Sequence, residues 1–204
     1  SSVRKLYQSN RTMPLDGDSQ FKSLKKSYAG GSELKGKTLG IIGFGRIGQE
    51  VAKIAIGTGM DVLFSDLHTK TARIKLDFFD NSSKEFSLKS SPIEKLLKQS
   101  DFITLHVPAQ KEYIISEKEF SLMKNGVGII NAARGGVIDE SSLLENISKS
   151  KVSFAALDTF ENEPNPSIKI LMNPNISLTP HIGAATNEAQ KRIGIELADQ
   201  IISF

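Results

Sequence analysis

The chain has 204 residues, of which 39% are apolar and none is cysteine, so it is long enough to bury a core and can hold neither a disulfide nor a thiolate site. Its 26 basic and 23 acidic residues give a net charge of +3, and the lysines at 22, 25 and 26 lack the aromatic residues of a nucleic-acid reader, which favours a solvated loop. No apolar run approaches the roughly 20 residues of a membrane span, and no signal peptide opens the chain. We therefore expect a soluble cytoplasmic protein with no nucleic-acid or membrane partner and no metal site.

The N-terminal region predicts connecting structure rather than a packed core. Apolar residues at helical spacing stop before Pro14, which indicates the tail of a helix already under way at the first residue. Residues 15–36 are polar and contain four glycines, which indicates a long connection. Because the earliest methionine is Met13, we expect the chain to be a fragment of a longer protein.

From Lys37 onward, short apolar runs alternate with helical patterns. The predicted strands are Thr38–Ile42, Asp61–Ser65, Phe102–His106, Val127–Asn131, Ser153–Leu157 and Ile176–Leu178. The predicted helices are Arg46–Thr58, a helix with Ser91 as N-cap and Pro92 in its first turn that runs through Leu97, a helix capped by Asp139 that carries Leu143, Leu144 and Ile147, and a last helix that carries Ala189, Ile193, Leu197 and Ile201. This alternation predicts an α/β fold with a doubly wound parallel sheet, the Rossmann class. Ligands bind such sheets at the carboxyl ends of the strands.

The first strand is followed directly by a glycine motif, and the first residues of a helix come next. Gly43 permits a tight turn, Gly45 lets a pyrophosphate approach the backbone, and Gly48 lets the helix pack closely on the strand. Asp66 ends the second strand 18 residues after Gly48, where a carboxylate can accept from the ribose hydroxyls. The carboxylate also repels a 2′-phosphate, so the pattern favours NAD over NADP. Three basic residues close by leave NADP open: His68, Lys70 and Arg73.

Three further strand ends carry polar residues that suit acid–base chemistry beside this cofactor. Arg134, in a run of small residues, suits a bidentate grip on a carboxylate. His181 can exchange a proton near neutral pH, and Glu163 can hydrogen-bond it and raise its affinity for that proton. His68 and His106 compete with His181, but only His181 has an acid and an arginine at neighbouring strand ends.

Four motifs together resemble the D-isomer-specific 2-hydroxyacid dehydrogenase family in order and spacing. They are the glycine motif and the runs Asn131–Glu140, Asp158–Pro164 and Pro180–Ala184. Within that family, the segments at 36–40 and 186–190 resemble the D-3-phosphoglycerate dehydrogenases. The resemblance implies a hydride transfer between NAD and a small anionic D-2-hydroxy acid, with D-3-phosphoglycerate as the expected substrate.

The resemblance also implies a role for each matching residue. Arg134 would hold the substrate carboxylate and carbonyl, His181 would take the hydroxyl proton, and Glu163 would orient His181. Arg134 and His181 would also face the cofactor. The other residues expected at the cofactor are Gly43, Gly45 and Gly48 at the turn, Arg46 and Ile47 along the pyrophosphate, Asp66 at the adenosine ribose, Val107, Ala132 and Ala133 along the channel, Asp158 at the nicotinamide amide, and Gly183 with Ala184 near His181.

The same resemblance predicts the domain organisation. Residues 1–36 would be the tail of an interdomain helix and its connecting loop, and residues 37–204 the NAD-binding Rossmann domain. The family's substrate-binding domain is absent from the chain, so the fragment is expected to bind NAD but to turn substrate over poorly. The family is typically dimeric through the cofactor domain, so a homodimer is expected.

Two alternatives remain open. A glyoxylate, hydroxypyruvate or D-lactate reductase would use the same three residues, although the D-lactate enzymes usually place an aromatic residue where this chain has Ala184 and Ala185. An NAD-sensing corepressor would retain the fold, but that group carries a tryptophan after the histidine segment, and this chain has none.

Overall fold

A computed structural model describes residues 2–203. Its strands are β1 (Thr38–Ile42), β2 (Asp61–Ser65), β3 (Thr71–Asp77), β4 (Ser83–Lys89), β5 (Phe102–Leu105), β6 (Val127–Asn131), β7 (Val152–Leu157) and β8 (Ile176–Leu178). Its helices are α1 (Leu6–Asp16), α2 (Phe21–Tyr28), α3 (Arg46–Gly57), α4 (Ile93–Gln99), α5 (Glu117–Leu122), α6 (Glu140–Ser148), α7 (Ile168–Leu171) and α8 (Asn187–Ile202), and a 3-10 turn precedes them at Ser2–Arg4.

Six strands form one parallel sheet in the order β2-β1-β5-β6-β7-β8. The strand order reverses between β1 and β5, so a crevice is expected beyond their carboxyl ends. The predicted doubly wound parallel sheet is therefore confirmed. A ligand site is therefore expected where the carboxyl ends of the strands meet, which we call the carboxyl edge of the sheet.

The sheet is covered on both faces. In β5, Ile103 and Leu105 belong to a core cluster that also contains residues of α4, α5, α6 and α7, whereas Phe102 belongs to a second cluster with Ala52 and Ala55 of α3. All four residues of β5 are buried. Burial on both faces explains why the central strands read as continuous apolar runs.

The predictions for the first 36 residues were wrong in three respects. The helix begins at Leu6 after the 3-10 turn, with Lys5 in the left-handed region at φ 54°, and it continues through Pro14 to Asp16. The supposed loop contains the eight-residue helix α2, so its lysines lie on a helix. Neither helix buries a residue, which explains why the apolar pattern used to predict elements was weak there.

Two other elements were not predicted. An antiparallel hairpin of β3 and β4 lies between β2 and α4, and α5 begins with a capping box in which Ser116 and Glu119 exchange hydrogen bonds with each other's backbone. Pro92, rather than Ser91, is the N-cap of α4. Strand β5 ends one residue earlier than predicted and β7 begins one residue earlier.

Helix α8 begins near the carboxyl edge of the sheet and buries none of its residues. Its apolar side chains, including Ile193, Leu197 and Ile201, are more than half exposed. Within residues 2–203, none of the helices combines the length and the apolar character needed to cross a membrane.

Candidate active site

The turn after β1 is built by Gly43 and Phe44. Gly43 has φ 88°, and a Cβ there would collide with the carbonyl oxygen of His106, so glycine alone fits. Phe44 is completely buried and stacks on Phe64 of β2, with ring centroids 3.8 Å apart. This stacking fixes the turn against β2, the edge strand of the sheet, and it was not predicted from the sequence.

The space above this turn suits a pyrophosphate. Among residues 2–203, no heavy atom other than those of Gly45 and its two chain neighbours lies within 4 Å of the position of a Cβ at Gly45. Gly45 is also the N-cap of α3, and no side chain caps the helix there. The first N–H groups of a 12-residue helix therefore point at open space, which is the usual arrangement for binding a phosphate.

Asp66 organises the backbone on both sides of this space. Its Oδ2 accepts from the N–H of Phe44 at 2.7 Å, and its Oδ1 accepts from those of His68 and Thr69 at 2.8 and 2.7 Å. Burial opposes ionisation, but the three N–H donors outweigh it and hold the pKa of Asp66 below its ordinary value. A carboxylate offers about four acceptor positions, so one position on Oδ2 remains for a ribose hydroxyl.

Arg46 and Ile47, predicted to lie along the pyrophosphate, are exposed at the start of α3. The guanidinium of Arg46 donates to both carboxylate oxygens of Glu196 in α8, at 2.9 and 3.2 Å. The hydrogen bond and the charge of Glu196 raise the pKa of Arg46. An exposed ion pair of this kind contributes little to the stability of the fold. An anionic ligand can therefore compete with Glu196 for the guanidinium.

His181 and Glu163 form the predicted pair. Nδ1 of His181 lies 2.8 Å from Oε2 of Glu163, and Oε1 of Glu163 accepts from the backbone N–H of Phe160 at 2.9 Å. The hydrogen bond from His181, together with that from Phe160, lowers the pKa of Glu163. An ionised carboxylate can only accept, so Nδ1 carries the proton and Nε2 is left to face a ligand.

Asp158 holds the loop that presents His181. Its Oδ1 accepts from the hydroxyl of Thr179 at 2.6 Å and from the N–H of Ile182 at 2.9 Å, and its Oδ2 accepts from the N–H of Gly183 at 2.8 Å. Burial opposes ionisation, yet these donors keep the pKa of Asp158 low. The loop places His181 in the left-handed region at φ 53°, where a side chain stays only if its surroundings hold it.

The carboxylate of Asp158 therefore accepts most of its hydrogen bonds from groups of the protein itself. One acceptor position on Oδ2 remains, so a contact with a nicotinamide amide stays a prediction. The Thr179 hydroxyl was not predicted as part of this arrangement, although a threonine two residues before the candidate histidine was a visible signal.

Arg134 lies in a loop whose conformation is fixed by hydrogen bonds within the loop itself. The side chain of Asn131 donates to the carbonyl of Arg134 at 2.9 Å and accepts from the N–H of Ala133 at 3.1 Å. The guanidinium of Arg134 donates to the carbonyl of Ala133 at 2.6 Å. A Cβ at Gly135 would collide with the carbonyl of Phe160, so this loop and the Glu163 loop touch through their backbones.

The remaining predicted residues follow the same strand ends. Val107 comes after β5 and is half-buried, Ala132 is exposed and Ala133 buried after β6, and Gly183 and Ala184 are exposed after His181. A cavity of about 410 Å³ opens beside the pair, bounded by Glu163, His181 and mostly apolar residues.

His106 is a weaker candidate than His181. Its Nε2 lies 3.0 Å from the Thr104 hydroxyl, its Nδ1 is buried without a partner among the described residues, and burial lowers its pKa. No carboxylate supports it, so it is poorly suited to carry a proton. No cluster of three or more potential metal ligands occurs between residues 2 and 203.

This geometry defines a dinucleotide-binding Rossmann domain with acid–base residues at the carboxyl edge of its sheet. Residues 1–183 match the family described as "D-isomer specific 2-hydroxyacid dehydrogenase, NAD binding domain". The chain belongs to this family, and its cofactor is NAD. The resemblance stated from the motifs is thereby confirmed.

The similar proteins are named for different substrates. The chain is 44% identical over 191 residues to the "Hydroxypyruvate reductase" of Thermotoga maritima, covering 91% of this chain and 57% of that protein. It is 39% identical over 207 residues to the "D-3-phosphoglycerate dehydrogenase" of Archaeoglobus fulgidus, covering 100% of this chain and 36% of that protein. A glyoxylate reductase from Paecilomyes thermophila has a similar structure, with a TM-score of 0.81 and 32% identity, over 99% of this chain and 57% of that one. The chain thus spans from about a third to somewhat over half of these proteins.

Proposed function

We propose that the chain is the cofactor half of an enzyme that moves a hydride between NAD and a small anionic D-2-hydroxy acid. The observation that carries this proposal is the 2.8 Å contact between His181 and Glu163, at the same sheet edge as the glycine turn. Arg134 lies at the end of the neighbouring strand, β6. The chain covers 57% and 36% of the two named relatives, so the activity of the whole protein is part of the proposal.

Each of the three side chains has a distinct task in the proposed reaction. Arg134 leaves its contact with Ala133 and binds the substrate carboxylate through two parallel hydrogen bonds. His181 takes the hydroxyl proton through Nε2 during oxidation and returns it during reduction. Glu163 keeps Nδ1 protonated and stabilises the positive charge that His181 acquires. NAD, when bound, supplies the hydride acceptor.

We propose D-3-phosphoglycerate as the first candidate substrate, because two segments at 36–40 and 186–190 resemble the enzymes that use it. Relatives named for hydroxypyruvate and glyoxylate reduction, 44% and 41% identical, are at least as similar as the phosphoglycerate dehydrogenase of Archaeoglobus fulgidus. These two compounds are therefore the alternatives within the same class.

The test measures NADH oxidation by the full-length enzyme with phosphohydroxypyruvate, hydroxypyruvate, glyoxylate and pyruvate in parallel. We expect the highest kcat/KM with phosphohydroxypyruvate, and preference for hydroxypyruvate or glyoxylate would support the alternative. Calorimetric titration of this chain with NAD accompanies the assay. NAD binding with no turnover of any compound would contradict the enzymatic proposal and favour a cofactor-sensing role.

We also propose a homodimer formed through the N-terminal helices. Leu6, Met13 and Leu15 of α1 and Phe21 of α2 are exposed by between 42% and 79%, and a contiguous exposed apolar patch often marks a protein–protein contact. Cytoplasmic location stays a prediction.

A further inference from the structure

Glu140 and Glu161 join the loops that carry the proposed catalytic residues. Oε1 of Glu140 accepts from the backbone N–H of Glu161 at 2.9 Å, and Oε1 of Glu161 accepts from the backbone N–H of Glu140 at 2.9 Å. We call this reciprocal pair the Glu140–Glu161 clamp. We propose that Glu140 is a positioning residue that holds Glu163 and His181 in line for proton transfer, an inference that rests on the proposed function.

The first half of the clamp is firmly anchored. Glu140 is the first residue of α6 and is only 7% exposed. The preceding residue, Asp139, caps the helix by accepting from the N–H groups of Ser141 and Ser142. The Glu140 carboxylate therefore projects from a rigid helix end, and its contact with Glu161 transmits that rigidity to the neighbouring loop.

The second half of the clamp, Glu161, lies one residue after the backbone group that binds Glu163, the partner of His181. The N–H held by Glu140 belongs to the peptide between Phe160 and Glu161. The N–H of Phe160, one residue earlier, donates to Oε1 of Glu163, whose Oε2 contacts His181. Three hydrogen bonds of 2.8 to 2.9 Å thus connect the end of α6 to Nδ1 of His181.

The backbone of the arginine loop closes the arrangement. Gly135 packs so closely on the carbonyl of Phe160 that a Cβ would not fit. The Phe160–Glu161 peptide is therefore held from one side by the loop after β6 and from the other by α6. Loss of the Glu140 contact would free this peptide and leave the Glu163 carboxylate less well oriented.

The hydrogen bond, rather than the charge, explains this role. Burial raises the pKa of Glu140; the hydrogen bond from the N–H of Glu161 opposes this rise, and the charge of Glu161 adds to it. The charge of Glu161 also raises the pKa of Tyr113. Two adjacent carboxylates repel each other, so the pair is retained in spite of its electrostatics. A neutral side chain with the same acceptor oxygen should therefore serve as well.

The test compares Glu140→Asp with Glu140→Gln in the full-length enzyme. Aspartate keeps the charge but is one methylene shorter, so its oxygen withdraws from the Glu161 N–H, whereas glutamine keeps the acceptor and loses the charge. We expect Glu140→Asp to lower kcat about 10-fold, equal to about 1.4 kcal/mol, with KM and the Kd for NADH within about twofold of wild type. Glu140→Gln should retain most of the wild-type kcat.

A second readout does not depend on turnover. The downfield proton resonance of Nδ1–H in His181, assigned by its loss in His181→Gln, should be sharp in wild type and Glu140→Gln and broadened in Glu140→Asp. Glu117→Asp is the matched control, because Glu117 holds α6 through Asn146 at 2.7 Å away from the site. It should lower the melting temperature and leave kcat unchanged.

Three results would overturn the inference. They are a Glu140→Asp enzyme with wild-type kcat and an unchanged resonance, a Glu140→Gln enzyme as impaired as Glu140→Asp, or an equal loss of kcat in Glu117→Asp. Absence of turnover in the wild-type enzyme would instead refute the proposed function, and the resonance would still report on the clamp.

Discussion

Replacing His181 by glutamine is expected to lower kcat of the full-length enzyme by roughly 10²- to 10⁴-fold, the range that a positioned acid–base group contributes. Glutamine can still accept a hydrogen bond but cannot exchange the proton. The Kd for NAD should remain within about twofold, because the turn, the α3 N-terminus and Asp66 are untouched. Steady-state kinetics together with a fluorescence titration of NADH measures both quantities.

The matched control is His68→Gln, which replaces an exposed histidine in the turn after β2. It should leave kcat within a few-fold of wild type. Near-normal turnover by His181→Gln would show that the acid–base assignment is wrong. A comparable loss in both variants would point to a general effect of removing histidine.

Replacing Asp66 by alanine is expected to raise the Kd for NAD by about 10- to 100-fold, since hydrogen bonds to charged groups contribute about 1.5–3 kcal/mol. The structure adds a second cause, because the variant also releases the N–H groups of Phe44, His68 and Thr69 that Asp66 holds. Removal of the charge should also relax the discrimination against NADP. Parallel titrations with NAD and NADP measure both effects.

Asp66→Asn separates the two causes, because it removes the charge and keeps one acceptor oxygen. We expect it to relax the NADP discrimination with a smaller loss of NAD affinity. Asp101→Ala is the stability control, since Asp101 also accepts a backbone N–H, from Thr38 at 2.8 Å, at the opposite edge of the sheet. Unchanged NAD affinity in Asp66→Ala would refute the ribose assignment.

The sheet was predictable because its strands are buried on both faces. The run from Phe102 to Leu105 is apolar enough, apart from Thr104, to read as a central strand, and Asp139 gave a clear cap for α6. By contrast, α2 buries nothing, and a helix without a buried face leaves a weak sequence pattern.

Some missed elements did leave signals. The alternation of Ala72, Ile74 and Leu76 is typical of a half-buried strand, but no element was predicted between Ser65 and Ser91. Ser116 followed by Glu119 is the sequence signature of a capping box. Both patterns are local, and no element was predicted from either of them.

The candidate site was predictable at the level of residues and not at the level of their contacts. Motif order identified Arg134, Glu163 and His181, since each follows a strand that ends at the same edge. The use of Asp66 and Asp158 by backbone N–H groups, and the exchange between Glu140 and Glu161, depend on loop conformations. Residue spacing carries no information on which N–H groups those loops will leave unpaired.

The stereochemistry of oxidation tests the central claim most directly. The full-length enzyme is incubated with NAD and, separately, with D-3-phosphoglycerate and the D- and L-isomers of glycerate and lactate, and NADH formation is followed. We expect NADH from at least one D-isomer, none above background from any L-isomer, and with His181→Gln a rate about 10²- to 10⁴-fold below that of wild type. Equal rates with the D- and L-isomers of one acid, or near-normal NADH formation by His181→Gln, would contradict the central claim.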